Sequence, residues 1–178
     1  AACQSQEEVQ HFYQQIGVYN ALLYALNAYD FHYENIIAYG KYPVLIDLEC
    51  FFHPNLQILT SEPIMDDTIL RTGLLPALVA INDEDSHSIN ISGITDVEGQ
   101  EGIVARPVIQ NNGSDQMRLE NMKGQLIGGQ NVPKLKSDKV NNISDYVEDI
   151  QLGFKKCYQA IVQNKSVLLQ AGGLIDQM

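Results

Sequence analysis

The stretch from residue 30 to residue 49 constrains the fold more than any other part of the chain. Its polar residues stand in otherwise apolar sequence, in the order Asp30, His32, Asn35, Asp47 and Glu49. Residues 36–39 and 44–46 are apolar and mostly favour β-structure, with Gly40 and Lys41 between them. The pattern predicts a β-hairpin that is entered from a polar loop.

This predicted hairpin brings polar side chains together at its open end. If the turn centres near residue 41, Asn35 lies opposite Asp47, and Asp47 and Glu49 share one strand face. Amide and carboxylate oxygens are hard ligands that suit Mg2+. Asp30, a few residues upstream, could orient or deprotonate a hydroxyl group. This division of roles is that of a kinase-type phosphoryl-transfer site.

Two other interpretations of these polar residues stay open. One is purely structural, because buried polar residues at the junction of a loop and a hairpin often satisfy backbone groups. The other is a metal site of the non-haem iron type, which uses two histidines and a carboxylate. Asp30 and His32 would then need a distant histidine such as His53 or His87, and the sequence does not decide between them.

Composition bounds the class of protein. The chain has 178 residues and is 45% hydrophobic, which is enough for one compact domain or one lobe of a larger one. Its net charge of −11 argues against a nucleic-acid-binding surface. The three cysteines, Cys3, Cys50 and Cys157, form no CxxC pair, which favours a reducing, cytoplasmic location. No apolar run of about 18 residues is present, so we expect no integral membrane segment.

Hydrophobic periodicity predicts an α+β fold with long helices and β-hairpins. Apolar residues at steps of three and four predict a helix over about 7–29 and a second one that Ser144 caps. A short helix is expected from Ser61 to about Thr72, where Gly73 would end it. Another short helix is expected from Ser166 onward.

The middle of the chain is expected to hold loops and a second hairpin. Residues 82–102 are acidic and punctuated by glycine, which predicts a surface loop with a short strand at 89–92. The segments 106–110 and 116–119 flank a turn-forming sequence and predict a hairpin. Residues 123–142 are rich in Gly, Lys, Asn and Pro and are expected to form a mobile loop.

Several motifs together point to one family. The most distinctive is the block from Asp30 to Asn35, followed by Asp47-Leu48-Glu49 and Phe52-His53-Pro54. Weaker signals are Arg71-Thr72-Gly73-Leu74-Leu75-Pro76, Ile91-Ser92-Gly93, Tyr146, Gly153-Phe154 and Tyr158. Across nearly the whole chain, these residues resemble the dehydratase domain of LanM-type (class II) lanthipeptide synthetases.

The resemblance implies a lipid-kinase-like catalytic lobe. Residues 1–178 would be a fragment of the dehydratase domain, its kinase-like C-lobe, with the N-lobe and the cyclase domain absent from this chain. The complete enzyme would use ATP and Mg2+ to phosphorylate Ser and Thr of a precursor peptide, and would then eliminate phosphate to give dehydroamino acids. Its partners would be that ribosomally made peptide, with its leader sequence, and the remainder of the same synthetase chain.

The resemblance also implies roles for single residues. Asp30 and His32 fall on catalytic-loop positions. Asn35 and Asp47 fall on positions that ligate Mg2+ and so bind the nucleotide cofactor. Glu49 falls on a nearby acidic position of the same cofactor site.

Other parts of such an enzyme are not expected in this chain. Lys41 is expected in the hairpin turn, pointing away, so no residue matches the nucleotide-binding Lys of the N-lobe. The Arg and Thr used in elimination are expected beyond Met178. The chain lacks an initial Met, so we expect it to be an excised segment. We expect little activity from it alone, because a kinase site needs both lobes to hold ATP. Two other classes stay open: another kinase-like phosphotransferase, and a non-catalytic pseudokinase or peptide-binding module.

Overall fold

Helices and antiparallel strands make up the described part of the molecule. The structure is a computed structural model that describes residues 1–52, 68–77, 79–80, 88–136 and 142–177. The predictions for His53, His87 and residues 61–67 lie outside these ranges. No helix in the described part is long and apolar enough to cross a membrane. The kinase-like arrangement of these elements stays a prediction.

The first long helix, α1, runs over Gln6–Ala25. It begins at Ser5, whose side chain accepts a hydrogen bond from the Glu8 N–H, and acidic residues in its first turn complement the helix dipole. The predicted helix over 7–29 is therefore confirmed in type but ends earlier. Asn27 adopts a left-handed conformation with φ of 51°, which turns the chain toward Asp30.

The second long helix, α2, runs over Val147–Gln163 and packs on α1. The two backbones meet at Gly17 and Gly153, where any side chain would overlap a carbonyl oxygen of the other helix. Gly17 therefore marks close packing, as expected. Buried apolar side chains form one core cluster that includes Val9, Phe12, Tyr13, Ile16, Leu23, Phe31, Ile36 and Ile150.

The strands of the described residues form three antiparallel pairs. These are β1 (Ile36–Tyr39) with β2 (Tyr42–Leu45), β3 (Val79–Ala80) with β4 (Ser88–Ile89), and β5 (Glu101–Gln110) with β6 (Arg118–Gln125). Both predicted hairpins are confirmed. The second is longer than predicted, because residues 101–102 and 123–125, expected in loops, belong to its strands.

The start of α2 differs from the prediction. The Asn142 side chain accepts the Ser144 N–H at 3.0 Å, and a 3-10 turn over Ile143–Tyr146 precedes the α-helix. Ser144 is therefore a donor to the cap rather than the cap itself. Asn142, two residues earlier, caps this turn instead, because Asn side chains readily accept hydrogen bonds from the backbone at turns.

The shorter helices agree in part with the predictions. A short helix, α3, covers Lys165–Leu168 and begins after Asn164 rather than at Ser166. Of the helix expected up to Thr72, the described residues form a 3-10 helix over Ile69–Thr72. Gly73 ends it at φ of 76° with its N–H donating to Leu70, as expected.

Candidate functional site

The loop that carries Asp30 and His32 is held by backbone hydrogen bonds on both sides. The Phe31 N–H donates to the Thr72 carbonyl at 2.9 Å, and the Tyr33 N–H donates to the Ile91 carbonyl at 3.1 Å. Asp30 itself has φ of 68°, a left-handed conformation that costs energy for a residue other than glycine. The surrounding contacts therefore impose this conformation on the loop.

His32 has a defined hydrogen-bonding pattern. Its Nδ1 accepts the Glu34 N–H at 3.2 Å, so in the neutral ring the proton lies on Nε2. The Nε2 atom lies 3.9 Å from Oδ1 of Asp30, and Nδ1 lies 3.9 Å from Oε2 of Glu34. The imidazole thus lies between two carboxylates, with Nε2 on the Asp30 side and Nδ1 on the Glu34 side.

Asn35 connects the loop to the hairpin. It is buried, and its Nδ2 donates to the Asp30 carbonyl at 2.8 Å. Its backbone N–H donates to the His32 carbonyl at 3.0 Å and closes the 3-10 turn over Tyr33–Asn35. Among the described residues, none donates a hydrogen bond to its Oδ1. The amide therefore shapes the loop with its nitrogen and keeps its oxygen available as a ligand.

The hairpin register differs by one residue from the prediction. Ile36 pairs with Leu45, and the Ile46 N–H donates to the Asn35 carbonyl at 2.9 Å. Asn35 therefore lies opposite Ile46 and not opposite Asp47. The cause is a turn centred between Gly40 and Lys41, where Gly40 has φ of 58°.

Asp47 and Glu49 leave the strand instead of extending it. β2 ends at Leu45, Asp47 adopts φ of 59°, and a 3-10 helix follows over Leu48–Cys50. The prediction that Asp47 and Glu49 share one strand face is wrong, because the period of two holds only within extended backbone. Both carboxylates are exposed. Asp47 directly follows Ile46, which pairs with Asn35. Asp47 therefore still lies at the open end of the hairpin.

The stretch 30–49 is flanked by Tyr29 and Cys50, two residues that the sequence did not single out as site residues. The Tyr29 N–H donates to the Cys50 carbonyl at 3.3 Å. Burial raises the pKa of the Cys50 thiol, the charges of Asp30, Glu49 and Asp47 raise it further, and a hydrogen bond with Tyr29 opposes them. That hydrogen bond is also the main cause that raises the pKa of Tyr29. The carboxylates of Asp30, Asp47 and Glu49 therefore all act on the Cys50 thiol. The sequence signal for this was their position at the two ends of the stretch 30–49, beside Tyr29 and Cys50.

The segments 71–74 and 91–94 form the support beneath the loop. The Gly93 N–H donates to the Gly73 carbonyl at 2.9 Å, which joins the two segments. A Cβ on Gly93 would lie 2.6 Å from the Phe31 carbonyl oxygen and 2.5 Å from Cδ1 of Ile36. Gly93 is therefore required by close packing against the backbone of the loop that carries Asp30 and His32, which gives a physical reason for the weaker motifs.

The donor set fits a hard divalent cation. Asn35 offers an amide oxygen and Asp47 an exposed carboxylate, both of which are suitable Mg2+ ligands. Within the described ranges, no group of three or more His, Cys, Asp or Glu side chains is arranged to hold a metal ion. The iron-type interpretation needs His53 or His87, which lie outside those ranges.

The chain belongs to the DUF4135 family. The family model, described as "Domain of unknown function (DUF4135)", matches residues 1–178. The chain is also similar to the lacticin 481/lactococcin biosynthesis protein LcnDR2 of Lactococcus lactis subsp. lactis, with 29% identity over 175 residues. The match covers 92% of this chain and spans 18% of that relative. These similarities support a family related to lanthipeptide synthetases, while the assignment to the dehydratase domain stays a prediction.

Proposed function

We propose that the complete protein acts in lantibiotic biosynthesis as an ATP- and Mg2+-dependent dehydratase of a precursor peptide. The hydroxyl oxygen of a Ser or Thr attacks the γ-phosphorus of ATP, and ADP leaves. In a second step the Cα proton is removed and phosphate departs with its electron pair, which leaves a dehydroamino acid. The similarity to a lacticin 481/lactococcin biosynthesis protein supports the pathway, and the loop from Asp30 to Asp47 supports the chemistry.

Five polar residues of the stretch 30–49 have proposed roles in the first step. Asp30 orients or deprotonates the hydroxyl of the peptide, and His32 holds its Nε2 atom 3.9 Å from that carboxylate. Asn35 Oδ1 and the Asp47 carboxylate would hold Mg2+, and Glu49 adds negative charge to the same site. When bound, the metal–nucleotide complex supplies the phosphoryl group and neutralises the developing charge. We assign no described residue to the elimination step.

One observation carries the proposal. The Asn35 Nδ2 donates to the Asp30 carbonyl at 2.8 Å, and its Oδ1 has no donor among the described residues. The buried side-chain atoms that lack a partner in the described part of the chain do not include this oxygen, so it is open to solvent and to a ligand. An available amide oxygen on Asn35, whose backbone carbonyl accepts from the residue before Asp47, suits a metal–nucleotide site.

The test is dehydration of the precursor peptide by the complete protein with ATP and Mg2+. We expect Asp47→Asn to abolish the loss of water from the peptide in its mass spectrum, because an amide binds Mg2+ less strongly than a carboxylate does. Asp115→Asn, an exposed Asp in the turn of the other hairpin, is the matched control and should dehydrate normally. Unchanged dehydration by Asp47→Asn would contradict the assignment.

The same mass spectra separate the alternatives. Loss of water indicates the dehydratase, whereas a stable gain of phosphate indicates another kinase-like phosphotransferase. If the complete protein changes neither peptide nor ATP and does not bind the nucleotide in calorimetry, the domain is a non-catalytic module.

A further inference from the structure

Asn131 lies far from the stretch 30–49 in sequence but is buried in the support beneath its loop. Its side chain is 0% exposed. Its Nδ2 donates to the Gly93 carbonyl and to the Thr95 carbonyl, both at 2.8 Å. Its Oδ1 has no partner among the described residues, so these two hydrogen bonds set the orientation of the amide. Asn131 therefore fixes the backbone on both sides of Ile94.

The segment 91–95, which this amide holds, carries the His32 side of the loop. The Tyr33 N–H donates to the Ile91 carbonyl at 3.1 Å. His32 itself pairs with Ser92 in an isolated antiparallel bridge. Because the backbones of loop and segment are joined directly, a displacement of the segment displaces the backbone of His32.

The two residues before Asn131 contact the hairpin and the loop themselves. The Gln130 carbonyl accepts the Ala38 N–H of β1. A Cβ on Gly129 would lie 3.3 Å from the Tyr33 carbonyl oxygen, so the two backbones are in close contact there. Three consecutive residues thus join the support segment, the loop and the hairpin, and their placement sets how the loop lies against the hairpin.

We propose that Asn131 is a positioning residue for phosphoryl transfer, which it promotes by holding His32 in place beside Asp30. The inference rests on the proposed function and extends it to a residue that is fully buried and so cannot touch either substrate. The His32 Nε2 lies 3.9 Å from Oδ1 of Asp30, and this separation depends on where the segment 91–95 holds the His32 backbone. Misplacement of a catalytic group by about 1 Å can lower a rate about 10²-fold, even when the substituted residue is far from the chemistry.

The test is the kinetics of phosphoryl transfer by the complete protein, with γ-labelled ATP and the precursor peptide. Asn131→Ala removes both hydrogen bonds and should lower kcat by about 10- to 100-fold. KM for ATP and KM for the peptide should stay within about threefold of the wild-type values, because Asn131 contacts neither substrate. An unchanged kcat, or a rise in KM at unchanged kcat, would overturn the proposal.

Val9→Ala is the matched control for lost stability. Val9 is also 0% exposed, but it lies in α1 and takes no part in the hydrogen bonds of the segment 91–95. The control should lower the melting temperature while its kcat stays within about twofold of wild type. Both variants are assayed at temperatures equally far below their melting temperatures. An equal loss of kcat in the two would show that Asn131 contributes stability alone, and would overturn the proposal.

Thr95→Val tests the same segment if Asn131→Ala does not fold. The Thr95 hydroxyl lies 2.6 Å from the Ser92 hydroxyl and donates to Asn90 Oδ1 at 3.0 Å, so it holds the segment from within. Valine has nearly the same shape and removes both contacts. The variant should lower kcat about three- to tenfold without a change in either KM. A folded Thr95→Val with the wild-type kcat would count against the positioning role and overturn it.

Hydrogen exchange reports the same geometry without turnover. In Asn131→Ala, amides over residues 32–36 should exchange about tenfold faster, since the Tyr33 N–H loses its fixed acceptor, while exchange in α1 stays the same. Unchanged exchange over 32–36 would overturn the proposal. The wild-type protein separates the two levels of inference. Absence of transfer by the wild type contradicts the proposed function and this inference with it, whereas wild-type transfer that Asn131→Ala retains overturns the positioning role alone.

Discussion

The hairpin β1–β2 packs on the core, whereas the hairpin β5–β6 exposes its apolar side chains. In β1–β2, Ile36 is 1% exposed and belongs to the core cluster. In β5–β6, the apolar residues Ile109 and Leu119 are 55% and 68% exposed. A two-stranded hairpin is marginal without a partner surface. The comparison teaches that anchoring to the core, rather than strand length, decides which hairpin can hold polar side chains in a fixed geometry.

The anchors of the two hairpins are also different in kind. β1–β2 is tied along its length, by the Ala38 N–H to the Gln130 carbonyl and by the Gly40 N–H to the Ala1 carbonyl at 2.8 Å. In β5–β6, the Leu126 N–H donates to the Gln100 carbonyl at 2.7 Å, which joins the two residues that flank the strands and so closes the hairpin on itself. The candidate catalytic residues adjoin the hairpin that is fixed at several points.

The largest expected difference between the hairpins is in stability. Ile36→Ala should lower the free energy of unfolding by about 2–5 kcal/mol, because it leaves a cavity in the core. Ile109→Ala should change it by less than about 0.5 kcal/mol, because that side chain is exposed. Urea unfolding of both variants measures the contrast. Similar values for the two would show that β5–β6 is anchored as firmly as β1–β2.

A smaller difference is expected from a glycine pair. Gly93→Ala should cost about 1–3 kcal/mol, since its Cβ would press on the Phe31 carbonyl oxygen and on Ile36. Gly124→Ala, in β6, has no atom within 4 Å of its Cβ and should be neutral or stabilising by up to about 1 kcal/mol. Thermal unfolding would report both. A neutral Gly93→Ala would mean that the loop above it can shift freely.

The smallest expected effect concerns the Cys50 thiol, which follows the open end of β1–β2. Burial is the main cause that raises the pKa of Cys50, and the carboxylates of Asp30, Glu49 and Asp47 raise it further, so removing one of them should lower it and increase the thiolate fraction at neutral pH. Asp47→Asn should therefore speed alkylation of Cys50 by iodoacetamide about two- to threefold. Peptide mapping by mass spectrometry separates Cys50 from Cys157. Asp115→Asn should leave the rate unchanged, and an equal acceleration by both would contradict the proximity.

Much of the fold was predictable because its signals are local. The periodicity of α1 and α2 and the apolar segments on either side of Gly40 come from neighbouring residues, and they predicted the helices and the first hairpin. The register was missed by one residue, because it depends on which turn residue takes positive φ, and Gly40 takes it at the first turn position.

The candidate site was predictable only in part. Asp30, His32 and Asn35 are close in sequence, so their proximity follows from one turn over Tyr33–Asn35. The approach of Cys50 to Tyr29 depends on two further left-handed residues, Asp30 and Asp47, whose conformation is imposed by long-range contacts. The hydrogen bond between Thr72 and Asn20 depends on packing between distant segments, which periodicity alone does not describe.

The central claim is that the loop from Asp30 to Asp47 transfers a phosphoryl group to a peptide hydroxyl. The direct measurement is transfer of label from γ-labelled ATP to the precursor peptide by the complete protein and by Asp30→Asn, with nucleotide affinity measured in parallel. Loss of the base should lower the transfer rate about 10²–10⁴-fold while nucleotide affinity stays nearly constant. Transfer at the wild-type rate by Asp30→Asn would contradict the claim.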